Sequence, residues 1–250
     1  MKNFILILQF MTRIPININL DVKREDFAEA VRYFPLVGLI IGCFDIIVYF
    51  LMSKIFPTTI ASVFMVLSHV FITGGLHMDG LGDTADGMFS GRSRERILEI
   101  MKDSRAGSFG VLAVVIALLF RFGAFQSLQV QATVLYRGAL LSPIIARTLV
   151  SMLMYRRTYA REKEGLGDLF IGKISRKTFI TVLIMGIILT LFIGGYKGAI
   201  SFGVVALFVL WLGRYVEKKI EGLTGDVLGA SIELSEIIVL LCFTAKIGFL

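Results

Sequence analysis

Long apolar runs constrain this chain more than any other feature. A membrane-crossing helix needs about 20 mostly apolar residues. Segments 35–53, 58–76, 109–129, 138–154, 179–194, 198–213 and 232–250 all approach that length. The fifth and sixth are short and separated only by Gly194-Gly195-Tyr196-Lys197, which reads as a tight helical hairpin. The chain is 56% hydrophobic and 18% charged, against about 45–50% and about 25% in soluble domains. A soluble core of 250 residues could not hide that surplus. The expected fold class is therefore an all-α integral membrane bundle of about seven transmembrane helices, with residues 1–250 forming one polytopic domain. The opening run FILILQFM is short and leads into TRIP rather than a small-residue cleavage site, so no cleavable signal peptide is expected.

Lysine and arginine set the expected orientation. Segments 1–34, 77–108, 155–178 and 214–231 hold 20 of the 26 basic residues. The alternate connections hold only Lys54, Arg137 and Lys197, with Lys246 near the end. This asymmetry predicts a multi-pass protein of the cell (inner) membrane, with the amino terminus and all four long polar segments in the cytoplasm. The net charge of +7 is then explained by basic loops facing anionic membrane lipids, and no nucleic-acid partner is expected. Cys43 and Cys242 both lie in apolar runs and suggest neither a metal pair nor a disulfide framework. The oligomeric state is left open, and an oligomer is compatible with this reading.

Residues 73–87, TGGLHMDGLGDTADG, follow an apolar run and place Asp79, Asp83 and Asp86 at i, i+4 and i+7. On a helix those three share one face. Their mutual repulsion would raise one or more pKa values unless a cation lay among them. Mg²⁺ prefers hard oxygen ligands and takes one or two carboxylates together with water and substrate phosphates. The surrounding glycines allow close approach of backbone to a ligand. These features suit a metal–diphosphate site built on the acidic segment 77–108, with 214–231 as a second acidic loop. A solvated segment whose aspartates cap the next helix is the plainer alternative. His77 is a candidate ligand, general base or capping donor. The stretch contains no GxxxxGK[ST], which excludes a P-loop as the phosphate cradle.

Further along, 93–103 reads as an amphipathic interfacial helix. Lys102-Asp103-Ser104-Arg105-Ala106-Gly107-Ser108 gathers cations, a carboxylate and hydroxyls just before a span. Arginine recognises phosphate bidentately, which favours an anion-binding role for Arg105. Asp45, Arg121 and Arg147 fall inside spans, where charge is costly. Each is expected to face the bundle interior or find a partner, Asp45 with an arginine. Arg147, near the cytoplasmic end, could instead reach a substrate phosphate. Glu164 and Asp168 read as part of a solvated basic connection.

GGLHMDGLGDTADGMFSGRSRERILEIMKDSRAGSFG, residues 74–110, closely resembles the signature stretch of the cobalamin synthase (adenosylcobinamide-GDP ribazoletransferase) family. FMTRIP at 10–15 resembles that family's opening motif, and LTGDVLGASIELSE at 223–236 its third block. With the span pattern between them, the likeness reaches essentially the whole chain. It departs at Glu233, where many relatives are expected to carry glutamine-type residues. The resemblance implies a Mg²⁺-dependent membrane transferase of cobalamin biosynthesis. Its substrates would be adenosylcobinamide-GDP and α-ribazole or its 5′-phosphate, and its products adenosylcobalamin or its 5′-phosphate and GMP. Phosphoryl transfer rests chiefly on positioning and charge neutralisation. On this reading Asp79, Asp83 and Asp86 hold the metal, and Asp83, Asp86 or His77 accepts the attacking proton. Arg13, Arg105, Lys102 and Arg147 are candidates for phosphate, and Asp226 for a further metal or ribose contact.

Two rival readings remain at this stage. A CDP-alcohol phosphotransferase also uses spaced aspartates at a membrane surface, but Asp79-Gly80 lacks the alanine-arginine expected in that pattern. A secondary transporter could use the triplet for cation coupling, but the chain shows no clear internal repeat and its acidic cluster lies at a span's end.

Overall fold

The computed structural model describes residues 1–163 and 165–245. Glu164, Lys246 and the last residues of the seventh apolar segment lie outside the described residues. Within them the chain is helical, and Tyr159 and Leu223 form an isolated β-bridge. The helices are α1 (Lys2–Met11), α2 (Arg24–Ala30), α3 (Phe34–Met52), α4 (Thr58–Thr73), α5 (Leu76–Phe89), α6 (Arg94–Ile100), α7 (Ser108–Leu128), α8 (Ala132–Leu149), α9 (Arg176–Ile220) and α10 (Gly225–Thr244).

Five helical stretches are long and apolar enough to cross a membrane, and α4 with α5 makes a sixth if the bent pair is taken together. The predicted hairpin legs 179–194 and 198–213 both belong to α9, which counts once in that number. Yet α9 is broken at Gly195 (φ 53°, ψ −136°), a conformation open essentially to glycine alone. A Cβ added at Gly198 would sit 2.7 Å from the Thr190 carbonyl oxygen. Eight residues of straight helix would hold those positions about 12 Å apart, so the chain doubles back there. Large apolar side chains such as Phe71, Leu119, Phe192 and Leu207 face outward, which is the surface a lipid environment solvates.

The bundle interior carries an ion cluster. Arg121 donates to Glu233 and Glu236, each at 2.7 Å, and Arg147 donates to Glu236 at 2.6 Å. His69 lies 2.7 Å from Asp45 and 2.8 Å from Glu236. Arg121 thus faces the interior in an ion pair, as expected of a charge within a span. Asp45 does not pair with an arginine: it meets His69 and accepts from Ser68 at 2.8 Å, the groups that α4 brings opposite it.

The predicted acidic loop is a helix. Gly74 (φ 64°) and Gly75 (φ 71°) end α4 in left-handed conformations that glycine adopts without steric cost. They turn the chain by 89° between α4 and α5. Helix α5 packs on the first turns of α10. A Cβ at Gly80 would lie 2.8 Å from the Asp226 carbonyl oxygen, and one at Gly229 would lie 3.1 Å from that of His77. The expected loop 214–231 shrinks to Glu221–Thr224, because buried Val216 and Ile220 extend α9 while Val227 and Leu228 begin α10.

Candidate active site

Helix α5 has two faces. His77, Gly80, Leu81, Thr84 and Met88 are buried on one, while Asp79 is exposed and Asp83 and Asp86 are half-buried on the other. His77 precedes Asp79 by two residues on a helix turning about 100° per residue. It therefore projects away from the carboxylate row.

The row borders a cavity of about 690 Å³ between α5, the segment after α6, and α7. Asp79, Asp83, Asp86, Lys102, Asp103 and Ser104 supply its polar side. Val111, Val114 and Val115 of α7 supply an apolar wall. A ligand with a charged group and a broad apolar body suits that lining.

The three aspartates are not equivalent. Both oxygens of Asp86 are engaged, accepting from the backbone N–H of Gly107 at 2.7 Å and of Gly110 at 2.8 Å. Asp86 thus caps the start of α7, satisfying N–H groups that a helix terminus leaves open. Among the described residues Asp83 has no such partner. Burial, then the charges of Asp79 and Asp226, push its carboxyl up to about 7, with Arg161 acting the other way. A divalent cation would relieve that repulsion.

Among the described residues no three Asp, Glu, His or Cys side chains converge tightly enough to enclose an ion by themselves. Mg²⁺ rarely occupies an all-protein cage and is usually completed by water and substrate phosphates. Asp79 and Asp83, four residues apart on an open face, fit such an ion, with Asp86 contributing only the capacity its cap leaves.

Asp226 opens α10 and receives the Arg161 guanidinium at 2.7 Å. Its backbone touches Gly80, which ties the third sequence block directly to α5. Phe10 and Met11 from the first stretch, His77, Asp79 and Gly80 from the second, and Asp226, Leu228 and Ile232 from the third all contribute to a second cavity on the His77 side of α5. The three stretches 10–15, 74–110 and 223–236, scattered along the chain, therefore meet at one place.

A family model described as cobalamin-5-phosphate synthase matches residues 3–244. This chain belongs to that family. It is 45% identical over 248 residues to the adenosylcobinamide-GDP ribazoletransferase of Clostridium novyi (strain NT), covering 99% of this chain and 98% of the relative. The protein of the same name from Clostridioides difficile (strain 630) is 41% identical, covering 96% of both chains. That from Listeria monocytogenes serovar 1/2a is 38% identical, covering 99% of both. No solved structure matches the chain.

The remaining candidates separate by position. Lys102 lines the acidic cavity. Arg105 is exposed and binds Asp103 at 2.6 Å, and that hydrogen bond holds the Asp103 carboxyl down at about 2. The Arg13 N–H donates to the Ile72 carbonyl at 2.7 Å, and its side chain lies against Gly74, bracing the α4–α5 turn. Arg147 is fully buried against Glu236, so the expectation that it reaches a substrate phosphate does not fit its position. Sequence reasoning missed Arg161, one of seven basic residues in 155–178 with no local mark to distinguish it.

Proposed function

We propose that this protein is a Mg²⁺-dependent transferase that joins adenosylcobinamide-GDP to α-ribazole or its 5′-phosphate and releases GMP. Its membership of the cobalamin-5-phosphate synthase family supports the reaction. One structural observation carries the assignment of the site: Asp79 and Asp83, without hydrogen-bond partners among the described residues, line a cavity of about 690 Å³ that Val111, Val114 and Val115 also wall.

In this reading Asp79 and Asp83 hold the Mg²⁺. When bound, the ion neutralises the diphosphate charge as the bond to GMP breaks. Lys102 adds a fixed positive charge to the same cavity. Asp86 fixes the start of α7, and so the distance between the carboxylates and the valine wall. Arg161 offsets Asp226 and keeps its negative charge from adding fully to that of Asp83. The corrin ring lies along Val111, Val114 and Val115 at headgroup level, leaving its phosphate arm toward α5.

The topology we propose has seven crossings: α3, α4, α7, α8, the two legs of α9, and α10. Helix α5 lies across the cytoplasmic end. The concentration of basic residues in the segments gathered at that end supports this sidedness.

The test is GMP release from detergent-purified protein given adenosylcobinamide-GDP, α-ribazole and Mg²⁺. Release that stops on adding EDTA and is accompanied by a cobalamin product is the expected result. No release from folded protein, with cation-coupled flux in proteoliposomes instead, would favour a transporter.

A further inference from the structure

The cavity on the His77 side of α5 measures about 170 Å³. Ligand pockets for whole drug-sized molecules run to about 300–1,000 Å³, so this one takes a fragment, of the size of a small ring system. Its walls are Phe10, Phe34, Met154, Phe170, Leu228 and Ile232. Phe170 holds them together: its ring centroid lies 5.4 Å from that of Phe10 and 6.0 Å from that of Phe34. Edge-to-face and tilted contacts of this kind leave a rigid aromatic slot.

Its polar lining side chains are His77, Asp79 and Asp226. His77 is 4% exposed. Asp79 lines both this slot and the acidic cavity. A ring held here would therefore deliver an attached sugar to the carboxylate row.

We infer that this slot is the subsite for the base of the acceptor nucleoside, a flat bicyclic ring with few polar atoms. The inference rests on the proposed transferase reading and extends it. Two bicyclic bases enter that reaction, the acceptor's benzimidazole and the guanine of the leaving nucleotide. Guanine carries donors and acceptors around its edge, and the apolar walls of this slot would strip water from them, leaving His77, Asp79 and Asp226 as the polar side chains that could replace those hydrogen bonds. A benzimidazole loses little on the same walls. The slot therefore selects the acceptor base.

The experiment is a fluorescence titration of α-ribazole onto the purified full-length protein, without Mg²⁺ or donor. Wild type, Phe10→Leu and Leu166→Trp are compared. Leu166 lines the slot and is largely exposed, so a larger side chain there obstructs the slot without burdening the core. The expected result is saturable binding that each substitution weakens by about tenfold or more, with no competition from GMP. Unchanged affinity in both variants would overturn the assignment. So would mutual exclusion of GMP and α-ribazole, which would give the slot to guanine. Failure of the transferase reading looks different: α-ribazole binds, yet the complete mixture with Mg²⁺ and adenosylcobinamide-GDP releases no GMP.

Discussion

The Arg161 guanidinium lies 2.7 Å from the Asp226 carboxylate and joins the segment before α9 to the first turn of α10. Asp226 in turn adds to the negative field at Asp83. Arg161 therefore tunes the acidic face without standing on α5. Replacing it with Met should lower kcat/KM for GMP release by about tenfold or more, equivalent to about 1.4 kcal/mol. Arg161→Lys should recover part of the loss, because it restores the charge. Steady-state kinetics of the two variants check this, and equal losses in both would remove the electrostatic argument.

Asp86 and Asp83 should behave differently when neutralised. Asp86→Asn removes an acceptor from the cap of α7, and loss of a cap costs about 0.5–2 kcal/mol. A lower melting temperature with part of the activity retained is the expected outcome. Asp83→Asn should leave melting no worse while reducing GMP release by about a hundredfold or more. Thermal scans and activity on the same preparations separate the two, and more than a tenth of the activity remaining in Asp83→Asn would remove it from the site.

The raised Asp83 carboxyl gives a pH signature. Its value near 7 lies above the ordinary 3.8, so the folded state holds this proton more tightly than the unfolded chain does. The stabilisation is fully present below about pH 4 and is lost as pH rises through about 7. Metal-free protein should therefore lose stability from this group between about pH 5.5 and pH 7.5, and Mg²⁺ should restore it at the upper end. Calorimetry with EDTA or Mg²⁺ at both values reads the effect, which should be absent from Asp83→Asn. A wild-type pH dependence indistinguishable from that of Asp83→Asn would contradict it.

Arg147 tests the opposite assignment, a structural one. It is buried against Glu236 in the ion cluster of the bundle. Arg147→Met leaves part of the Glu236 charge uncompensated, and breaking a buried pair costs about 3–5 kcal/mol. The expected result is poor accumulation in the membrane or early melting. A well-folded Arg147→Met with a raised KM for adenosylcobinamide-GDP alone would return Arg147 to the phosphate-binding group.

The sequence made the apolar segments and the acidic row legible because both are short-range patterns. A row at i, i+4 and i+7 can be read without knowing what it faces. The turn into α5 was not legible, since Gly74-Gly75 is compatible with a loop as well as with an 89° bend between helices. Nor were the long-range partners. Glu236 lies 89 residues from Arg147 in sequence, and nothing near Asp45 announces His69. Arg161 became visible only when the fold placed its loop beside α10.

The central claim is that Asp79 and Asp83 hold a divalent ion together with the substrate diphosphate. The most direct measurement is a Mn²⁺ titration followed by electron paramagnetic resonance, in the presence of adenosylcobinamide-GDP, on wild type, Asp79→Asn and Asp83→Asn. The account predicts one population of bound Mn²⁺ showing coupling to phosphorus in the wild type, weakened by about tenfold or more in each variant. Equal Mn²⁺ binding in all three proteins would place the metal elsewhere and contradict the account.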